Sequence, residues 1–255
     1  MICYVDKSLN SFFVDLSIND PFLCKIKSLY NAYSYDTNGV DFYIQLNIKK
    51  DITAVISKID QTAVCYIEAY ADFEELSDFL RVIGVKTVTL NQRHINKISH
   101  RGSLEGYIMR LEKLISPSDI DKKFLIKVPL VKELLDFLVY NFDYRLTCDQ
   151  YDNMYVDLSH RLRHNSIKAI AAFYNGHIIG SAMIIAFTKE TAVLGCVATD
   201  LKYRRNGIAS FLICEILKDY IGEKDVYLFR EQNKNEEFYR NLGFDNQEKW
   251  AEIEI

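Results

Sequence analysis

The sequence of 255 residues has little of what defines several large classes of protein. Its six cysteines include no Cys-x-x-Cys pair, so neither a redox dithiol nor a disulfide framework is expected, and the thiols are predicted to be small buried apolar groups. Acidic residues outnumber basic ones, 35 against 31, for a net charge of -4. A nucleic-acid partner, which requires a strongly basic surface, is therefore not expected.

Long apolar runs are also missing. No stretch approaches the roughly 20 apolar residues of a membrane span, and Met1 to Val5 is followed at once by Asp6 and Lys7, unlike the start of a secretory signal. We therefore expect a cytoplasmic protein with no membrane partner. A composition of 49% hydrophobic and 26% charged residues is typical of globular proteins, and the length is sufficient for two domains.

The most informative stretch runs from Thr191 to Gly222. Its apolar run, Ala192 to Ala198, predicts a buried strand. From Gly207 onward apolar residues recur at i and i+4, which predicts a helix over Ile208–Ile221 that ends at the C-cap Gly222. A strand, a glycine-containing turn and a helix start place unpaired backbone N–H groups at one point, so this stretch predicts a site for a phosphate or diphosphate.

Neither of the two common phosphate-binding patterns is present, since the Walker ending and the three spaced glycines of the dinucleotide fold are both missing. The loop reads Arg204-x-x-Gly207-x-Ala209, and Phe238-Tyr239-x-x-Leu242-Gly243-Phe244 follows a further predicted strand. These two motifs, in this order, resemble those of the GNAT N-acetyltransferases over about residues 125 to 255. The resemblance implies an α/β fold in which a mixed, mostly antiparallel twisted sheet is flanked by helices.

The resemblance also implies that acetyl-CoA is the acyl donor and that no metal is needed. Strand residues would pair with the pantetheine arm, and N–H groups of the loop would bind the diphosphate. The residues carried over to cofactor binding are Cys196, Val197, Ala198, Thr199, Arg204, Arg205, Asn206, Gly207, Ile208, Ala209, Ser210 and Asn233. Asn233 lies one residue nearer to Tyr239 than the commonest spacing, so Gln232 and Asn235 remain alternatives for its role.

Tyr239 resembles the tyrosine that stands near the thioester sulfur and protonates the departing thiolate. The alternative for Tyr239 is a core residue beside Phe238 and Phe244. The general base stays open between water, Asp200 and Glu231. Cys196 is predicted to be a core thiol, because no neighbouring feature supplies a base that would make it a nucleophile.

The first half repeats the element order of the second, which is helix, helix, three strands, helix, strand. The place of the phosphate loop is taken there by Tyr70 to Glu75, with three carboxylates that would repel a diphosphate. We therefore predict a degenerate GNAT-like domain over 1–118 and a catalytic domain over 119–255. An unrelated α/β domain is the alternative for the first half. Arg93 to Gly106 is predicted to be a loop, and a solvent-facing position is favoured over one that borders a substrate cleft.

His160 and His164 stand one turn apart on a predicted helix, but no third ligand accompanies them, so a solvated helix face is favoured over a zinc site.

The function expected from the resemblance is transfer of an acetyl group to the amine of a small molecule or peptide. A non-catalytic acyl-CoA-binding module and a purely structural partner-binding protein are the alternatives.

Overall fold

The structure, a computed structural model, describes residues 1–16, 19–34, 39–116 and 123–255. The chain folds into two compact units. The first unit comprises Met1–Met109, Phe229–Glu236 and Asn246–Ile255, and the second comprises Arg110–Leu228 and Glu237–Asp245. The predicted join between residues 118 and 119 lies outside the described residues, and the division into two domains at that point stays a prediction.

The first half of the chain shows the predicted order of two helices, three strands, a helix and a strand. Its elements are β1 (Ile2–Tyr4), α1 (Asn10–Asp15), α2 (Pro21–Tyr33), β2 (Val40–Leu46), β3 (Ile52–Ile59), β4 (Thr62–Ile67), α3 (Phe73–Val82), β5 (Thr87–Asn91), a 3-10 helix (Gln92–Lys97) and β6 (Gly102–Leu111). The prediction of a loop over Arg93 to Gly106 was wrong, because the 3-10 helix and the start of β6 occupy most of it. The exposed first residues of β6 have no apolar alternation that would reveal a strand.

The second half has the same order. Its elements are β7 (Leu125–Lys127), α4 (Val131–Asn141), α5 (Cys148–Arg163), β8 (Lys168–Tyr174), β9 (His177–Phe187), β10 (Thr191–Thr199), a 3-10 turn (Leu201–Tyr203), α6 (Ile208–Leu217), β11 (Asp225–Glu231), α7 (Glu236–Asn241) and β12 (Phe244–Glu254). Helix α6 ends at Leu217, four residues before the predicted end. The last predicted turn becomes a series of turns, in which both Tyr220 and Ile221 donate to the Leu217 carbonyl.

Each unit contains a mixed, mostly antiparallel sheet flanked by helices, as predicted. In the first unit the strand order is β1-β2-β3-β4-β5-β12-β6, and β4 and β5 are parallel whereas β1–β2, β2–β3, β3–β4 and β5–β12 are antiparallel. In the second unit the order is β11-β10-β9-β8-β7, with only β10 and β11 parallel among these pairs. The predicted Asn175-Gly176 turn joins β8 and β9, and both residues have the positive φ angles that such a hairpin requires, 49° and 81°.

Two apolar clusters hold the helices on their sheets. In the first unit, Leu76 and Leu80 of α3 pack among buried residues of β3, β4 and β5. In the second, Leu134, Phe137 and Leu138 of α4 pack against buried residues of β8, β9 and β10. Cys24, Cys65 and Cys214 are buried as predicted. Cys3 and Cys196 are only half-buried, and Cys148 is exposed because it begins α5.

Among the residues that the structure describes, no helix has the length and apolar character needed to cross a membrane.

Candidate functional site

A bulge interrupts β10 where the predicted site begins. Gly195 lies opposite Met183 and Ala198 lies opposite Ser181, so β10 carries one residue more than β9 between these two pairs. Within this interval Cys196 has a left-handed φ of 49°, which is rare for a residue other than glycine. The bulge takes the backbone of Cys196 and Val197 out of regular pairing with β9 and re-aims their polar groups.

One buried side chain supports the bulge. Ser181 of β9 is fully buried, and its hydroxyl donates to the carbonyl of Cys196 at 3.0 Å. Ser181 was not predicted to have a role in the site. The signal that could have found it is a polar residue inside the apolar run of β9, because a buried hydroxyl is almost always hydrogen-bonded.

Strand β10 extends beyond the segment that pairs with β11. The two strands pair in parallel over Thr191–Leu194 and Asp225–Leu228, whereas β10 runs on to Thr199. Thr199 ends the strand beside the loop, and its buried Oγ1 has no hydrogen-bond partner within the described part of the chain. A buried hydroxyl without a partner is costly, so this end of β10 provides an unused donor.

The loop from Asp200 to Asn206 is braced by its own hydrogen bonds. The Asp200 carboxylate accepts from the Lys202 N–H at 2.8 Å. Arg204 Nε donates to the Thr199 carbonyl at 3.1 Å, and Asn206 Nδ2 donates to the Tyr203 carbonyl at 3.1 Å. These bonds fix the path of the chain from β10 into α6 while the loop itself stays on the surface.

The start of α6 has the features of an anion site. Gly207 is the N-cap, with a left-handed φ of 73° and no side chain that could cap the helix, and the first turn carries no acidic residue. Arg205 is also left-handed, with a φ of 63°. The N–H groups at the N-terminus of a helix are polarised positively and bind phosphate or carboxylate groups, and left-handed residues just before them add to such a concavity.

Tyr239 of α7 and Cys196 of the bulge lie near each other. Tyr239 is half-buried between two rings, with centroid distances of 5.0 Å to Phe238 and 6.0 Å to Phe244. Burial and, to a smaller extent, the neighbouring Cys196 thiol raise the pKa of its hydroxyl to about 12. Tyr239 therefore keeps its proton at neutral pH and is a hydrogen-bond donor beside the bulge.

The Leu242-Gly243 part of the second motif fixes the end of α7. The Gly243 carbonyl accepts from the Glu112 N–H at 3.0 Å, and the Leu242 carbonyl accepts from the Ile115 N–H at 3.1 Å. A Cβ on Gly243, whose φ is 94°, would lie 1.8 Å from the Lys113 carbonyl oxygen. Glycine is required there because no side chain fits against this backbone, and the contribution of residues 112–115 could not be predicted from their own sequence.

Asn233 and Glu231 lie outside β10 and α6. Asn233 is exposed in the turn between β11 and α7, with a φ of 63°, and belongs to the first unit, whereas β10 and α6 belong to the second. Glu231 forms an ion pair with Lys234. The rings of His160 and His164 stack 4.2 Å apart on α5, and within the described ranges no three His, Cys, Asp or Glu side chains form a group that could hold a metal ion.

The corresponding turn of the first unit, between β4 and α3, is filled by its own side chains. Asp72 caps α3 by accepting from the Glu75 N–H at 3.0 Å. Gln45, fully buried, donates to the Asp72 carbonyl and to the Glu75 carboxylate, both at 2.9 Å, and accepts from Thr53 at 2.7 Å. The donors at the start of this helix are therefore partly satisfied within the chain, and negative charge surrounds them.

Comparison with known proteins finds one family match, which lies within the second half of the chain. A model of the acetyltransferase (GNAT) family matches residues 133–244, while no curated protein matches the sequence at a significant level.

Three solved structures show the fold at 10 to 14% identity. An acetyltransferase of the GNAT family from Colwellia psychrerythraea is 14% identical and superposes with a TM-score of 0.57 over 100% of this chain and 99% of its own. A GCN5-related N-acetyltransferase from Sphaerobacter thermophilus is 13% identical and superposes with a TM-score of 0.59 over 100% of this chain and 95% of its own. A tandem GNAT protein from the clavulanic acid biosynthesis pathway is 10% identical and superposes with a TM-score of 0.60 over 100% of this chain and 98% of its own.

Proposed function

Residues 133–244 belong to the acetyltransferase (GNAT) family, and on this premise we propose that the protein transfers an acetyl group from acetyl-CoA to the amine of a small molecule or peptide. The observation that carries the proposal is the uncapped start of α6 at Gly207, next to a bulged strand and a protonated tyrosine. We further propose that the first unit is a GNAT-like domain that does not bind the cofactor. Its element order and its filled helix start support this.

The residues present fit a CoA diphosphate. The N–H groups of Ile208, Ala209 and Ser210 open the first turn of α6, and Gly207 has no Cβ that would obstruct a ligand there. Arg204 and Arg205 are exposed beside them and add positive charge. The unpartnered hydroxyl of Thr199 and the bulged backbone of Cys196 and Val197 supply further polar groups along β10 for the amide groups of the pantetheine arm.

Acetyl-CoA supplies an activated thioester, and the chain supplies position and a proton. The backbone N–H groups at the bulge polarise the thioester carbonyl as its oxygen gains charge. The amine nitrogen forms the new bond to the carbonyl carbon while the carbon–sulfur bond breaks, and Tyr239 gives its proton to the sulfur. The bound amine loses a proton to water or to a carboxylate, and Asp200 and Glu231 remain the candidates for that carboxylate.

The high pKa of Tyr239 sets the conditions for this step. A phenol with a pKa of about 12 is a weaker acid than a free thiol, whose pKa is about 8.5. Proton transfer therefore requires a sulfur that is shielded from water, since burial raises the proton affinity of a thiolate. The rings of Phe238 and Phe244 around Tyr239 provide such an environment.

Titration calorimetry and a thiol-release assay test the proposal together. We expect CoA and acetyl-CoA to bind with one site per chain, and we expect a panel of primary amines to release free thiol from acetyl-CoA. Absence of binding heat from well-folded protein would refute the cofactor assignment. Binding without turnover on any amine would instead favour a non-catalytic acyl-CoA-binding module.

A further inference from the structure

Arg161, near the end of α5, makes contacts that the proposed reaction does not use. Its side chain is only 19% exposed. Nη2 donates to the Ile185 carbonyl at 2.5 Å, and Nη1 lies 3.5 Å from the Asp157 carboxylate one turn earlier. The backbone carbonyl of Arg161 accepts from the Ser166 N–H at 3.0 Å and from the Ser166 hydroxyl at 3.2 Å. The guanidinium is thus held at both ends and directed at one peptide group of β9.

That peptide group lies at a second irregularity of the sheet. Val193 is opposite Ala186 and Leu194 is opposite Ile184, so Ile185 has no opposite residue on β10. Its carbonyl is therefore available to a side chain, and Arg161 satisfies it. A carbonyl left without a hydrogen bond at this position would be unfavourable, so the Arg161 bond stabilises the conformation of the irregularity.

The side chain of Ile185 extends the contact to the active bulge. A Cβ on Gly195 would lie 2.8 Å from Ile185 Cδ1, so Ile185 covers the face of Gly195. Gly195 is the residue directly before Cys196, where the bulge of β10 begins. A rotation of Ile185 would therefore change the space that Gly195 and the bulge occupy.

We infer that Arg161 is a positioning residue for acyl transfer: through Ile185 and Gly195 it holds the bulge at Cys196 and Val197 in the geometry that receives the thioester. This role rests on the proposed function. Within the described residues, no hydrogen bond or ion pair joins Arg161 to the start of α6 or to Tyr239, so its effect reaches the reacting atoms through the sheet. We therefore expect the irregularity at Ile185 of β9 and the bulge at Cys196 and Val197 of β10 to change conformation together.

The test replaces Arg161 by Met, which keeps the length of the side chain and removes the donors. We expect kcat to fall about 10-fold to 100-fold, because small displacements of reacting groups have effects of this size, while the KM for acetyl-CoA changes less than about 3-fold because α6 is untouched. Arg161→Lys, which keeps one donor, should recover part of kcat. The matched control is Arg163→Met, which changes an exposed arginine of the same helix whose Nε bonds to the Ser159 carbonyl.

A readout that does not depend on turnover separates this inference from the proposed function. Backbone amide resonances of Gly195, Cys196 and Val197 should shift in Arg161→Met and stay in place in Arg163→Met. Gly195→Ala, whose Cβ would lie too close to Ile185 Cδ1, should shift the same resonances. Unchanged resonances in folded Arg161→Met, or a loss of kcat that Arg163→Met reproduces, would overturn the inference. Shifted resonances in a protein without acyl-transfer activity would support the contact and refute the proposed function alone.

Discussion

Helix α3 of the first unit and helix α6 of the second each follow a strand and a turn. The two helices differ in which groups accept hydrogen bonds from the backbone N–H groups of their first turns. At α3, Asp72 caps the helix, Glu74 and Glu75 occupy its first turn, and buried Gln45 bonds to both the turn and Glu75. At α6 the cap is Gly207, without a side chain. A helix start satisfied by its own chain contributes stability, whereas one left open is available to a ligand.

The strands that precede these two helices also differ, in the regularity of their pairing. Pairing of β4 with β3 is regular from Thr62 to Ile67, whereas β10 is bulged at Cys196. At the end of β4 the buried ring of His94 lies against the strand, with Nε2 3.0 Å from the Ile67 carbonyl. The two helix starts therefore differ in a cap, a buried amide and a ring, while the succession of strand, turn and helix is the same.

Giving α6 an acidic N-cap like that of α3 should have the largest effect on CoA binding. In Gly207→Asp a side chain is forced into a left-handed conformation, which costs about 1 to 2 kcal/mol, and a carboxylate is placed beside the diphosphate. We expect the affinity for CoA to fall at least about 1,000-fold, measured by titration calorimetry. Gly222→Asp is the matched control, because Gly222 has a similar φ of 80° and open space around a Cβ. Equal loss in both variants would contradict the role of the α6 start.

Removing the proton donor should have the next largest effect. Tyr239→Phe keeps the ring contacts and removes the hydroxyl, so kcat should fall about 100-fold with little change in CoA affinity, measured by thiol release. Tyr140→Phe, at an exposed tyrosine, is the control.

The pH profile of the unchanged protein gives an independent check of this role. With a pKa of about 12, Tyr239 stays protonated as pH rises from 7 to 10, so its deprotonation should not lower the rate in that window. A rate that falls with an apparent pKa near 9 and no longer does so in Tyr239→Phe would refute the assignment.

Opening the α3 start should produce a smaller effect, confined to stability. Asp72→Ala removes a helix cap and should lower the free energy of unfolding by about 1 kcal/mol, measured by urea denaturation. Combining Asp72→Gly with Glu74→Gln and Glu75→Gln should still leave one CoA site per chain, because Gln45 continues to occupy the turn. A second equivalent of bound CoA would show that charge alone closes the first unit.

The smallest expected effect concerns His94. Burial and the neighbouring Arg93 lower the pKa of His94 below its ordinary value, so its stabilising contribution is present above pH 6.5 and is lost as pH falls below that value, where the unfolded chain takes up the proton. Unfolding free energies at pH 7.5 and 5.5 should therefore differ more in the unchanged protein than in His94→Gln. His177→Gln, at an exposed position, should keep the full difference.

Much of the fold and of the loop was predictable because it is local. The spacing of apolar residues predicted α3, α4 and α6, Asn175-Gly176 predicted its hairpin, and Gly207 predicted an uncapped helix start. The bulge at Cys196 and the bond from Arg161 to Ile185 depend on strand register, which the sequence of one strand does not encode. Strands β6 and β12 were not predicted, because their exposed polar residues obscure the alternation.

The order in which the chain visits its two units limits how it can be divided. The last strand segment, Asn246–Ile255, belongs to the first unit and pairs with β5 from Asn91 to Thr87. A fragment that ended at residue 118 would leave β5 with an open hydrogen-bonding edge, and a fragment that began at 119 would carry β12 without this partner. Both would expose strand edges that favour aggregation, so cutting the chain at the predicted join would separate two paired strands of the first unit.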